Sequence, residues 1–138
     1  MKAVVYDFCE SRAAEHARAI LADWKGALVC DDFSGYKQSF TLGVAKAGCM
    51  AHSQRKFLEL HVSNKSQIAR QALGYISALY DVEREVKSLS TNERLRMRQA
   101  KSRPLADALY QSMVLQRRQI TDGSATARAL ERTHALSR

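Results

Sequence analysis

A short apolar run that ends in two adjacent carboxylates constrains the fold of this chain more than any other stretch. The run covers residues 27–30 and is followed by Asp31, Asp32 and a Ser34-Gly35 turn. Because it is apolar throughout, it predicts a strand buried on both faces of a sheet covered by helices. Side chains that follow such a strand lie at the carboxyl edge of the sheet, where ligands collect in open α/β folds. Asp31 is therefore a candidate metal ligand, although an Asp at this place also accepts backbone N–H bonds in an Asx-turn or a helix cap.

Two other segments predict further strands around this run. Residues 4–9 are rich in β-branched and aromatic residues, and residues 44–50 are apolar but interrupted by Gly. Between the strands, apolar and aromatic spacing predicts a helix from Ser11 to Gly26 and a short helix that ends at Gly43. The sequence thus predicts an α/β core of about three strands, followed by a helix over 51–61.

From Ser66 onward the apolar periodicity is helical only. Apolar residues recur every three or four positions from Ile68 to Leu89, which predicts a long amphipathic helix. The segment 90–93 fits a capping box that begins a second helix. Pro104 is placed where a helix breaks or restarts, a third helix follows it, and Ser124 is a candidate cap for a fourth.

The net charge of +8 is unevenly distributed along the chain. Residues 1–63 hold eight Lys or Arg against seven acids, whereas residues 64–138 hold fourteen against seven. The densest basic cluster comprises Arg94, Arg96, Arg98, Lys101 and Arg103. A basic patch suits a polyanion such as DNA, because phosphate contacts release condensed counterions. A solvated helical face gives the same composition.

The cysteine content and the hydropathy profile predict a cytoplasmic protein with reduced thiols and no membrane partner. The three Cys are odd in number and widely spaced, and the first residues lack the charged and apolar pattern of a leader. No apolar run approaches the roughly 18 residues that a membrane span requires.

A second distinctive block of sequence, at residues 49–57, follows the acid-bearing strand. It reads Cys-Met-Ala-His-Ser-Gln-Arg-Lys-Phe and, with Cys-Asp-Asp-Phe-Ser-Gly-Tyr-Lys at 30–37, resembles the insertion sequence 66 family of bacterial transposases. Members of that family carry an acid at the end of the corresponding strand and then a Cys-aromatic-Ala-His-x-Arg-Arg-Lys-Phe block. The resemblance runs from Val5 to about Ala129, with Asp32 at a position where relatives often have Gly.

The resemblance implies a ribonuclease H-like core in which Asp-Asp-Glu carboxylates bind Mg²⁺ for DNA strand cleavage and transfer. Asp31 matches the second Asp and is the expected catalytic and metal-binding residue. The implied architecture is a partial ribonuclease H-like core over residues 1–62, about three strands with flanking helices. An all-helical insertion region over 63–138 follows, expected to be truncated at its C-terminal end.

Only one acid of that triad is matched, and this limits the expected activity. The first Asp and the Glu have no counterpart, and Asp7 and Glu10 are poor replacements because they fall within a predicted strand and a loop. Two-metal phosphoryl transfer needs several carboxylates. The chain is therefore expected to be an internal fragment of a transposase, inactive alone and with weak or absent Mg²⁺ binding.

The Cys49 and His52 pair has three interpretations. A zinc site usually needs four ligands, and no second pair at ligand spacing is present. A small buried thiol and a hydrogen-bonded His would also explain the pair. The family motif favours a third interpretation, in which both residues support the metal site from outside without binding the metal. Arg55 and Lys56, on the outer face of the same helix, join the basic cluster as expected DNA-binding residues.

Two other functional classes stay open from the sequence. One is a noncatalytic basic module that binds DNA or another protein, with full-length transposase or a second copy of the chain as candidate partners. The other is a small α/β enzyme that uses Asp31 and His52 as acid and base. For that enzyme the sequence offers no nucleophile, Gly-rich phosphate loop or second carboxylate at a supporting spacing.

Overall fold

The structure is a computed structural model that describes Val4 and residues 6–11, 13–31 and 33–136, without the side chains of 132 and 134–136. The chain divides into two compact units, residues 1–47 and 48–138. The predicted boundary between residues 62 and 63 rests on the family resemblance, whereas the division at 47 and 48 reflects compactness. The predicted boundary therefore stays a prediction.

The first unit is a small α/β arrangement around two parallel strands. Ala45 N–H donates to Gly26 O at 2.8 Å, where the strands begin. Gly43 ends the intervening helix as predicted, with a φ of 100° that an L side chain adopts only with strain. The elements are α1 (Ala14–Leu21), β1 (Ala27–Cys30), a 3₁₀ turn (Ser34–Tyr36), α2 (Lys37–Thr41) and β2 (Ala45–Gly48).

The prediction of a first strand over residues 4–9 is wrong for the described part of that segment. Val4 and residues 6–9 have irregular conformation, and Tyr6 and Phe8 are 93% and 89% exposed. A strand persists only where a neighbour satisfies its N–H and C=O groups. Among the described residues only β1 and β2 pair, so the fold is mixed α/β with two strands instead of about three.

The prediction that β1 is buried on both faces is also wrong. Leu28 is half-buried and Cys30 buried, whereas Ala27 is exposed and Val29 is 68% exposed. Because alternate side chains of a strand point to opposite faces, one face of the sheet is covered and the other is open. An apolar run therefore does not require a layer on both sides.

The second unit is a helical bundle made of α3 (Met50–Asn64), α4 (Gln67–Glu85), α5 (Thr91–Met97), α6 (Arg103–Arg117) and α7 (Ala125–Leu136). Helix α3 packs on α4 and α7, and α6 also packs on α4 and α7. The stripe predicted from Ile68 to Leu89 is confirmed in its central part, where Ala72, Ile76, Val82 and Val86 are buried, but the helix ends at Glu85. Phe57 and Ile76 are fully buried in the centre of the core.

The restart predicted at Pro104 is confirmed: α6 begins at Arg103 with Pro104 in its first turn, although the helical path is not interrupted there. A π turn over Arg98–Ser102 joins α5 to α6, and Arg103 N–H donates to Arg98 O five residues earlier. Pro104 lacks an N–H, and its ring crowds the carbonyl four residues back. The wider π turn lies where that crowding arises, so the helical path continues through the proline.

Side chains cap the beginnings of α5 and α7 and tie the end of α6 to α7. The capping box predicted at 90–93 is confirmed: Ser90 Oγ accepts from Glu93 N–H, and the Glu93 carboxylate accepts from Ser90 N–H at 3.0 Å. Ser124 Oγ accepts from Ala127 N–H at 3.0 Å and begins α7 as predicted. Arg117, the last residue of α6, pairs with Asp122 in the loop between α6 and α7 and with Glu131 of α7.

In the described part of the chain, no helix has the length and apolar content needed to cross a bilayer.

Candidate functional site

Asp31 lies directly after β1, at the carboxyl end of the strand, as the sequence predicts. Its side chain is exposed, and its Oδ1 accepts a hydrogen bond from Phe33 N–H at 3.2 Å. This is the Asx-turn considered from the sequence. The turn uses one carboxylate oxygen, so it orients Asp31 without removing the acid from solvent. Asp32 falls outside the described residues.

The described residues do not by themselves form a magnesium site. No three His, Cys, Asp or Glu side chains among them come close enough together to hold a metal ion. Asp7 and Glu10, the weak replacement candidates, are exposed in an irregular segment. Since Mg²⁺ requires near-octahedral oxygen ligation and several acids to neutralise it, Asp31 alone does not fit the metal that the family resemblance implies.

Asp31 opens onto a groove of about 330 Å³ in the first unit. Phe33 and Tyr36 form part of its wall, with ring centroids 5.5 Å apart and planes at 85°. A Cβ atom placed on the buried Gly35 would overlap the Phe33 ring, so this ring lies directly on the turn backbone. The remaining lining residues are Ser11, Ala13, His16, Ala17 and Ile20.

Ser11 and His16 form a polar pair in this groove that sequence reasoning missed. Ser11 Oγ lies 3.1 Å from His16 Nε2 and also accepts from Ala13 N–H at 3.3 Å. Ser11 was expected to cap α1, but the N-cap position belongs to Ala13 and has no side-chain bond. A Ser and a His five residues apart across a helix start have no recognised spacing, so the sequence held no signal for the pair.

Cys49 and His52 lie at the beginning of α3, and both are half-buried. Cys49 is the N-cap residue, and its carbonyl accepts from His52 N–H at 3.1 Å. The two residues are therefore one helical turn apart in the chain. Their role in supporting a metal site stays a prediction.

The two basic residues of α3 differ in their partners. Lys56 Nζ pairs with Glu59 Oε2 at 2.9 Å on the same helix. Arg55 is exposed and forms no ion pair with any residue that the structure describes. Of the two, Arg55 is the better placed to contact an external phosphate.

The predicted DNA-binding cluster is divided between paired and unpaired cations. Arg98 binds Glu83 and Lys101 binds Glu85, both acids on α4. Arg94 is half-buried, and its Nε has no hydrogen-bond partner among the described residues. Arg103 contacts Gln99, whereas Arg96 is exposed and forms no ion pair within the described part of the chain.

The compact units separate the charge more sharply than the sequence halves do. Residues 1–47 contain six Lys or Arg and six acids, whereas residues 48–138 contain sixteen and eight. The whole excess of +8 therefore belongs to the second unit. Counterion release on DNA would thus arise from the helical bundle, while the groove unit has no net charge.

Comparison with known proteins places these features in a family context. A family model described as "Transposase IS66 family" matches residues 1–138. No solved structure matches the chain.

Three relatives, all uncharacterized proteins of Sinorhizobium fredii (strain NBRC 101917 / NGR234), have similar sequences. The protein y4jD is 31% identical over 140 residues, which cover 96% of this chain and 27% of the relative. The protein y4qI is 31% identical over 143 residues, which cover 98% of this chain and 26% of the relative. The protein y4hP is 30% identical over 139 residues, which cover 88% of this chain and 25% of the relative. The chain thus spans about a quarter of the length of these relatives.

Proposed function

This chain belongs to the IS66 transposase family, and on that premise we propose that it takes part in DNA strand cleavage and transfer during transposition of an insertion sequence. The family match over residues 1–138 carries the proposal. Because the chain spans about a quarter of its curated relatives, we assign it one part of that activity and not the complete reaction.

In this proposal the first unit belongs to a ribonuclease H-like sheet, and Asp31 is one of the catalytic carboxylates. The parallel pair of β1 and β2, the helical crossover between them and the acid directly after β1 are consistent with such a sheet. Asp31 would hold Mg²⁺ together with the other carboxylates of the family triad, and the ion would supply positive charge at the reacting phosphate. Because the sequence matches only Asp31 of the three family carboxylates, we expect weak or absent Mg²⁺ binding and no DNA cleavage by the chain alone.

The second unit, which includes the helical insertion region, supplies the DNA contacts. Its excess of +8 supports this role. Arg55 and Arg96 are the main contacts, since both are exposed and outside the ion pairs of the described residues. Binding is expected to be salt-sensitive and indifferent to sequence, because phosphates and not base edges are contacted.

A chimera tests whether Asp31 is catalytic. In a full-length transposase of the family, the segment that aligns with this chain is replaced by the chain's own sequence. Excision and integration of a marked element are then counted in cells. The chimera should transpose, and Asp31→Ala should reduce transposition to the level of the empty vector. Asp7→Ala, which changes another exposed acid of the same unit, should leave transposition unchanged. A chimera that transposes equally well with Asp31→Ala would overturn the catalytic role.

The isolated chain tests the second part of the proposal. It is incubated with supercoiled DNA and Mg²⁺ or Mn²⁺ beside an Asp31→Ala control, and the nicked fraction is measured on a gel. We expect no nicking from either protein. Nicking by the parent that disappears in the control would mean that other residues of this chain complete the site.

A noncatalytic basic module is the second candidate, favoured by the confinement of the excess charge to the helical unit. It predicts the same salt-sensitive DNA binding. In the chimera, however, it predicts that Asp31 is dispensable while the substitution Arg96→Ala lowers transposition. The two candidates therefore differ in their response to the same pair of substitutions.

A further inference from the structure

The groove beside Asp31 combines three kinds of surface within the first unit. Ala13, Ala17 and Ile20 form its apolar side, and Ile20 remains 57% exposed. Phe33 and Tyr36 add aromatic rings. Ser11, His16 and Asp31 supply hydrogen-bonding groups around the same space. Apolar area, rings and a few convergent polar groups are the features of a site for a planar polar ligand.

We propose that this groove binds an unstacked base of a DNA strand next to Asp31. The inference rests on the proposed DNA-directed function, and it adds a base-binding site to the phosphate contacts of the helical unit. A volume of about 330 Å³ is in the range of small-molecule sites. The ligand class follows from the chemistry of the lining, which offers aromatic rings and hydrogen-bonding groups, among them the Asp31 carboxylate.

The aromatic pair provides a stacking surface that is fixed before the ligand arrives. The Phe33 ring lies on the backbone of Gly35, and the edge-to-face contact with Tyr36 holds the second ring. Both side chains are half-buried, so each still presents surface to the groove. Bases stack on aromatic side chains without regard to sequence, because every base has a π-face.

The polar groups predict which bases bind best. Asp31 uses Oδ1 for the turn, and its second oxygen forms no hydrogen bond with the residues that the structure describes. A carboxylate oxygen accepts from an exocyclic amino group such as cytosine N4. Adenine, cytosine and guanine carry such a group and thymine does not. Ser11 and His16 each offer a further donor or acceptor.

Charge separates this site from the basic unit. The first unit has equal numbers of basic and acidic residues, so base binding in its groove should depend little on salt. Phosphate contacts by the second unit should instead weaken steeply as salt rises. The two contributions are therefore distinguishable in one titration series.

The experiment compares labelled single-stranded oligonucleotides of equal length and charge, with normal bases or with abasic sugars. Binding to the whole chain is measured by fluorescence anisotropy in EDTA, so that divalent metal does not compete for Asp31. A normal strand of adenines should bind about tenfold more tightly than the abasic strand, the size expected for one stacked base. A strand of adenines or cytosines should bind more tightly than one of thymines.

Two variants test whether the difference arises in the groove. Tyr36→Leu and His16→Ala should each reduce the preference for normal over abasic strands. Tyr6→Leu removes a Tyr that is 93% exposed and outside the groove, and should leave the preference unchanged. Far-ultraviolet circular dichroism checks that each variant is folded. His16→Ala alters a half-buried surface side chain, so it keeps the test valid should Tyr36→Leu fail to fold.

The outcomes separate the groove from the proposed DNA-binding unit. Equal affinity for normal and abasic strands, or a preference that survives both groove variants, would overturn the base-binding site and leave phosphate binding intact. A base preference combined with no salt dependence would support the groove and overturn DNA binding by the basic unit. Absence of binding to either strand would overturn both.

Discussion

Arg98 and Glu83 form a two-point ion pair that fastens the π turn to α4. Arg98 Nε donates to Glu83 Oε1 at 2.7 Å, and Nη2 donates to Oε2 at 2.5 Å. The hydrogen bonds from Arg98 lower the pKa of the Glu83 carboxyl, and the carboxylate raises the pKa of Arg98. Lys101, also in the π turn, binds Glu85, which lies on α4 like Glu83. Part of the densest basic cluster is therefore engaged with acids of α4.

This ion pair predicts a loss of stability in acid. Because the pKa of Glu83 is lowered by folding, the unfolded chain takes up its proton at a higher pH than the folded chain does. The stabilisation is fully present above the ordinary pKa of 4.5 and is lost as pH falls through the lower folded value. Both side chains are over two-fifths exposed, so the contribution should be below about 1 kcal/mol.

Urea unfolding between about pH 6 and pH 3 measures this contribution. Glu83→Gln should lower stability at the upper end and flatten the fall toward acid. Asp107→Asn is the control, because Asp107 is exposed and forms no ion pair among the described residues. If Glu83→Gln leaves the acid-dependent fall as steep as in the parent, the ion pair does not stabilise the bundle.

Phe57 and Leu58 make a matched pair for testing the core. Phe57 is fully buried among α3, α4, α6 and α7, whereas its neighbour Leu58 is 51% exposed. Phe57→Ala should lower the free energy of unfolding by about 3–5 kcal/mol through lost burial and a cavity. Leu58→Ala should cost less than about 1 kcal/mol. Phe57→Leu should fall between them, and similar losses for Phe57→Ala and Leu58→Ala would contradict the packing described.

The capping box at the start of α5 should contribute measurably to stability. Ser90 and Glu93 each satisfy a backbone N–H of the other, and hydrogen bonds from Ser90 lower the pKa of Glu93. Ser90→Ala should cost about 1 kcal/mol. Ser88→Ala alters an exposed Ser two residues earlier and outside the cap, and should change the urea midpoint little. Equal midpoints for both variants would show that the cap is not needed.

The helical bundle was largely predictable because its signals are local. The apolar stripe of α4 and the capping residues Ser90 and Ser124 depend on residues a few positions apart. Helical periodicity and capping chemistry act within that range. Pro104 acts locally too: it lies in the first turn of α6, as a helix restart requires, and the preceding π turn keeps the helical path continuous.

The first unit was less predictable because its features depend on distant partners. Tyr6 and Phe8 have strand propensity, yet no described segment pairs with them. Val29 is apolar, yet it is 68% exposed and no described segment covers its face of the sheet. Asp31 was placed correctly because it directly follows its strand. The groove partners Ser11 and His16, and the long-range pair Arg98 and Glu83, join positions that no local pattern connects.

The ion pairs of the basic cluster predict unequal roles for Arg96 and Arg98 in DNA binding. Each substitution to Ala removes one positive charge, so a purely long-range effect would weaken binding equally. Arg96 is exposed outside the ion pairs of the described residues, whereas Arg98 is bound to Glu83. Arg96→Ala should reduce the slope of log affinity against log salt by about 0.9, the value for one phosphate contact. Arg98→Ala should change the slope less.

Glu83→Gln provides the converse test of the same relationship. It removes the acid that holds Arg98 and releases the guanidinium, so DNA affinity and the salt slope should both rise. Asp107→Asn changes the net charge by the same amount without releasing an ion-paired cation, and should raise affinity only slightly. Fluorescence anisotropy with one duplex over a series of salt concentrations gives every slope. Equal slopes for Arg96→Ala and Arg98→Ala, together with equal gains for Glu83→Gln and Asp107→Asn, would mean that net charge alone governs binding and that the ion pair does not restrain Arg98.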